Sequence, residues 1–203
     1  MTEQETFIRA DQELRKAIDQ IKDEQWDMPL PEDFPTNGDE KYTMRQILTY
    51  QAYDEAWIPD IMAGKSVSEV GENAFGGRFD NTLLGENPAA DFGKLVDKAI
   101  AAVEAIEESD LDTRTVHYSY GDFPLREALW HAIVFRAMRA HDVAKAIGID
   151  SDLPDDLVQA VWEIVEPHAE EWRAQGVFGP KIEVADDAKL QDRLLGITGR
   201  KPS

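Results

Sequence analysis

Four residues able to act together recur at helical spacings in two separate stretches of the chain: Tyr50 with Asp54, and His131 with Arg139. Tyr50 and Asp54 are four residues apart, so on a helix they project together. In the stretch 120–148, YGDFPLREALWHAIVFRAMRAHDVAKAIG, the residues His131, Phe135, Met138, Arg139 and Asp142 fall on one helical face. If the two faces meet, a phenol, a carboxylate, an imidazole and a guanidinium surround one point. That set suits a small anion, with the Arg139 fork as its contact. Taken singly, each residue also has a plainer role. Arg139 with Asp54 or Asp142 makes an ordinary ion pair. His131 beside Trp130 reads as a core histidine, and His141-Asp142 as a helix end where a cation meets the dipole. His117 and His168 receive no role, and Tyr118, Tyr120 and Phe123 read as packing beneath a loop.

Several chemistries lack their residues. There is no cysteine, hence no disulfide, thiolate ligand or thiol nucleophile. No P-loop or dinucleotide glycine fingerprint is present, and 71–77 (GENAFGG) has neither a preceding strand nor a following Lys-Ser/Thr. GxSxG and HExxH are absent. The paired histidines four residues apart that hold metals on helices are missing too, because His141 lies off the His131 face. A net charge of -20 opposes contact with nucleic acid or anionic lipid. The polar, acidic start MTEQETFIRADQEL lacks the features of a signal peptide, and no apolar run spans a bilayer, so a cytoplasmic location is expected.

The elements that must position these residues follow from apolar periodicity. A first helix is expected over 3–23, with Phe7, Ala10, Leu14, Ala17, Ile18 and Ile21 as its stripe. The proline-rich loop MPLPEDFPTNGDE follows Trp26. A second helix is expected from Thr43 as N-cap to Met62, closed by Ala63-Gly64 and loosened at Pro59. The glycine-rich segment 65–88 reads as a long connection. A third helix is expected over 89–108, an extended arm over 113–120 before a turn at Gly121, and a fourth helix over 120–148 stopped by Gly148. A fifth helix is expected over 154–175, opened by Pro154 and bent at Pro167, and then a short extended piece, a turn and one short helix. The fold class expected is all-α: a four-helix bundle over 1–150, with a C-terminal helix and tail over 151–203 packed on it.

Three stretches resemble the DinB-like superfamily, in particular proteins related to mycothiol-dependent maleylpyruvate isomerase. DEQWDMPLP followed by YTMRQILTYQAYDEAW resembles the family's tryptophan-and-proline loop and second helix. RAHDVAKAIG is similar to a family pattern of histidine, two spacer residues, then Asp-Leu-Ala-Arg-Ala-x-Gly. VFGPKIEVADDAKLQDRLLGITGR is similar to the family's C-terminal tail. The resemblance implies a four-helix bundle able to pair as a homodimer, which holds a divalent metal such as zinc or nickel through three side chains; some members use mycothiol in isomerase or S-transfer reactions. The three ligand positions fall here at Tyr50, Phe135 and Arg139. Phenylalanine has no donor atom and arginine no lone pair. The first expectation is therefore a protein that has lost the family's metal site and binds a small anionic molecule in a pocket of Tyr50, Asp54, His131, Phe135, Arg139 and Asp142. A second is a metal- and thiol-dependent isomerase or transferase with ligands moved to Asp54 and His131. A third is a non-catalytic interaction module.

Overall fold

A computed structural model describes residues 1–36, 40–80 and 82–202. Helix α1 (Glu3–Ile18) opens with a capping box, in which Thr2 accepts from the Glu5 N–H and Glu5 accepts from Thr2. Its apolar stripe Phe7, Ala10, Leu14, Ala17 and Ile18 is buried. The helix stops five residues short of the expected end, and a single 3-10 turn (Asp23–Gln25) carries the chain to Trp26. The loop after Trp26 is strapped to the start of α2 (Met44–Met62): Met44 N–H donates to Met28 O, Arg45 N–H to Trp26 O, and Leu30 N–H to Tyr42 O. This strap seats Phe34 in the core. Thr43 caps α2 as expected, in a reciprocal pair with Gln46, and the helix runs through Pro59.

A one-turn helix α3 (Val67–Val70) lies in the long connection. Helix α4 (Pro88–Glu104) starts with proline in its first turn, where no N–H partner is lost. Phe92, Val96, Ala99 and Val103 form its buried face. Strands β1 (Thr115–Tyr118) and β2 (Gly121–Pro124) then make an antiparallel hairpin in which His117 faces Asp122 and Val116 faces Phe123. The expected fourth helix thus loses its first turn to β2. As α5 it spans Leu125–Ile147 and ends at Gly148, which takes the left-handed conformation (φ 78°). Helices α6 (Asp155–Ala174) and α7 (Leu190–Ile197) complete the chain.

The protein is predominantly α-helical, with seven helices and one two-stranded sheet among the described residues. The most extensive helix–helix packing is α1 on α5, α2 on α4 and α1 on α4, while α6 packs on α7, α5 and α1. Helices α2 and α5 make no comparable approach, so the seam between them is filled by long side chains. No helix among the described residues is long and apolar enough to cross a membrane.

Candidate functional site

The largest fully buried side chain among the described residues is an arginine, Arg136, at 0% exposure in the middle of α5. Its Nη2 lies 2.8 Å from Glu55 Oε2 and 3.1 Å from Asp54 Oδ2, and its Nε lies 3.5 Å from Asp11 Oδ1. Its Nη1 donates to Ala132 O, and the guanidinium stands 4.7 Å from the centre of the Phe7 ring. Gln51 Nε2 donates to Glu55 Oε1 at 3.1 Å. Burial works against the Arg136 charge, but Glu55, Asp54 and Asp11 outweigh it and hold the proton firmly. The carboxyls fare differently. Asp11 is wholly buried, and burial, then the charge of the neighbouring Glu55 and a side-chain hydrogen bond with it, push its pKa well above the ordinary 3.8. Burial likewise raises Glu55, against the pull of Arg136. One guanidinium thus ties α1, α2 and α5 together through three acids.

Arg139, one turn further along α5, is 7% exposed and has no ion pair among the described residues. Its Nε and Nη1 are buried without a hydrogen-bond partner. Two phenyl rings flank it: Phe34 at 5.1 Å and Phe135 at 5.4 Å from the guanidinium carbon. Burial lowers its pKa. Phe135 meets Tyr50 edge-on with ring centres 6.2 Å apart, so the positions 50, 135 and 139 converge across the α2–α5 seam. From the long connection, Phe79 stacks on both Tyr42 and Tyr50, and Arg78 lies 5.9 Å above the Tyr50 ring. Burial and Asp54 raise the Tyr50 hydroxyl above its usual range, against the opposing pull of Arg78 and Arg139. Tyr50 therefore stays a phenol at neutral pH, able to donate to an anion.

Asp54 lies on the same seam but pairs with Arg136, so it is not the counter-ion of Arg139. His131 is two turns before Arg139, about 12 Å along the axis at 1.5 Å per residue, and sits in an aromatic cluster whose Tyr120 hydroxyl also feels Asp54 and Tyr50. Its ring lies 4.8 Å from Phe123 and 5.3 Å from Trp172, and its Nδ1 is 3.3 Å from the Tyr120 hydroxyl. Burial and the nearby His168 lower its pKa. The expectation that His131 and Arg139 surround one point is thus corrected by the axial rise of the helix. Asp142 accepts two bonds from Arg200 of the C-terminal segment, Nε–Oδ1 at 2.9 Å and Nη2–Oδ2 at 2.8 Å. His141 does not cap the helix end with a charge. It is buried, its Nδ1 lies 2.9 Å from Ser151 O, and burial lowers its pKa. A cleft of about 840 Å³ is lined by Phe34, His141, Asp142, Lys145 and Arg200 among others; it reaches Phe34, which flanks Arg139, but Arg139 itself does not line it.

Arg136, Arg78 and Phe34 were not among the candidate residues read from sequence. Arg136 carried a signal: it interrupts the apolar stripe of α5, as Asp11 and Glu55 interrupt those of α1 and α2. Arg78 and Phe34 lie in aperiodic loops, which carry none.

The donor set does not fit a divalent metal at the position the resemblance implies. Tyr50, Phe135 and Arg139 meet there, and arginine and phenylalanine offer no lone pair. The alternative donors diverge, Asp54 to Arg136 and His131 to the aromatic cluster. Among the described residues no group of three or more His, Cys, Asp or Glu is arranged to hold a metal ion. No family model, no curated protein and no solved structure matches the chain.

Proposed function

We propose that this protein binds a small carboxylate-type anion at Arg139, in a DinB-like four-helix bundle formed by α1, α2, α4 and α5 and extended by α6 and α7. The observation that carries the reading is the state of Arg139: a residue only 7% exposed, whose Nε and Nη1 are buried without a hydrogen-bond partner among the described residues. A buried cation without a partner is costly, and an anion from outside removes that cost. Aromatic neighbours favour a flat apolar body behind the charged head, since Phe34, Phe135, Tyr50 and Phe79 all offer ring faces or edges. The Arg139 fork matches a planar carboxylate with two parallel donors. Tyr50 adds a neutral donor and Arg78 a second cation at the exposed side.

The resemblance to the DinB-like superfamily supports the bundle. The three positions it maps as metal ligands lie together in this chain as phenol, phenyl and guanidinium, which turns a cation site into an anion site. The test is a thermal-denaturation screen of the purified protein with benzoate, acetate, sulfate and inorganic phosphate, with Arg139→Met alongside. Benzoate is expected to raise the melting temperature of the wild type most and to leave the variant unmoved. Equal shifts in both proteins would overturn the reading.

A further inference from the structure

We propose that Arg200, from the C-terminal segment, keeps the Arg139 site open by occupying both oxygens of Asp142, the carboxylate that would otherwise pair with Arg139. The inference rests on the reading of Arg139 as an anion contact and adds a positioning residue to it. Arg139 and Asp142 are three residues apart on α5, a spacing at which side chains meet on one face. Both are nearly buried, at 7% and 5% exposure. In water such neighbours gain little from pairing, but in a dry interior an acid beside an unpaired guanidinium pairs with it. Here they do not pair, because the Arg200 fork takes Asp142 in the bidentate geometry, at 2.9 and 2.8 Å. Asp142 has no other cation within ion-pair distance among the described residues.

Arg200 can do this because its backbone is fixed. Its N–H donates to Leu195 O as α7 unwinds at Thr198. Gly199 takes a positive φ of 79° and lies against Gly179, where a side chain would come within 2.9 Å of that backbone. Ile182 N–H donates to Gly196 O, tying the 179–182 strip to α7. The tail thus presents its arginine to α5 from a rigid turn. Arg200 and Asp142 line one cleft together with Phe34, whose ring flanks Arg139. Loss of Arg200 frees Asp142 to turn on Arg139, which fills the anion site from within.

Arg200→Gln and the double variant Asp142→Asn/Arg200→Gln test this with two readouts. The first is benzoate affinity by calorimetry. Arg200→Gln is expected to weaken it on the order of tenfold, as an internal competitor would, and the double variant to restore it, since asparagine cannot replace the carboxylate as a counter-ion. A role for Arg200 in docking the tail alone predicts no such restoration. The second readout needs no ligand: the Arg139 Nε–Hε resonance moves in Arg200→Gln and returns in the double variant. Wild-type affinity in Arg200→Gln, or a double variant as weak as the single, overturns the proposal. If benzoate fails to bind even the wild type, the anion reading falls, and the ligand-free resonance still decides whether Arg200 keeps Asp142 from Arg139.

Discussion

Arg136 and Arg139 stand one turn apart on α5 with contrasting surroundings: Arg136 meets three acids, and Arg139 meets two phenyl rings, with no acid within ion-pair distance among the described residues and Asp142 acting on it from further off. An ion-paired arginine and one without an ion pair among the described residues therefore sit side by side on one helix. The contrast makes their removal diagnostic. Arg136→Met leaves Asp11 and Glu55 buried beside one another, and is expected to cost about 3–5 kcal/mol in urea unfolding. Arg139→Met removes a buried charge whose burial cost outweighs the favourable pull of Asp142 and Tyr50. It is expected to raise the stability of the ligand-free protein by about 1–3 kcal/mol, while abolishing anion binding. Similar losses from both variants would contradict the assignment.

The acids around Arg136 set an unusual pH dependence. Asp11 and Glu55 hold protons in the folded protein at pH values where the unfolded chain, at the ordinary 3.8 and 4.5, has released them. The folded state therefore binds more protons in that window, and their contribution to stability falls as pH rises through it. Asp11→Asn keeps the shape and removes the titration. At neutral pH it is expected to be more stable than the wild type by roughly 1–3 kcal/mol, with the advantage shrinking towards pH 4. Parallel pH profiles for the two proteins would show that Asp11 is not strained.

His131 carries the opposite sign. Burial and His168 keep its folded pKa below the ordinary 6.5, so the unfolded chain takes up a proton that the folded protein refuses. Stability is then lost as pH falls through and below 6.5. His131→Phe keeps a ring among Phe123, Trp172 and Tyr120. Chemical unfolding between pH 7.5 and 5.5 is expected to show the wild type losing ground to this variant. A His131 imidazole titrating at or above 6.5 by NMR contradicts it.

The elements were legible in sequence wherever one stripe or one cap determined them. Thr43 with Gln46 marks the start of α2, and Gly148 the end of α5. The strand at Gly121–Pro124 was not, because Phe123 and Pro124 continue the apolar pattern of α5 without a break and pair only through the hairpin register. Tyr50, Phe135 and Arg139 came from helical spacing and resemblance, and they do converge. His131 shares their strip but not their level, and the strip alone gives no distance along the axis. The Arg136 cluster spans residues 11, 55 and 136, so its charges explain one another only once three helices are assembled.

The tail offers a steric test. A methyl group on Gly196 would meet Ile182 O at 2.6 Å and the Val184 side chain at 3.3 Å. The first obstacle is backbone and cannot rotate away. Gly196→Ala is expected to destabilise the protein by about 1–3 kcal/mol, measured by urea unfolding, and to loosen the Arg200–Asp142 pair with it. An unchanged midpoint would mean that the 179–184 strip yields freely.

The central claim is that Arg139 receives an anion, and the Nε–Hε resonances of the arginine side chains report on it residue by residue. Wild-type protein labelled with nitrogen-15 is titrated with benzoate at neutral pH, with Arg139→Met used to assign the Arg139 signal. That signal is predicted to shift saturably while that of Arg136, held by its own acids, stays in place. A static Arg139 signal across the titration, or a shift confined to exposed arginines such as Arg78, would contradict the account.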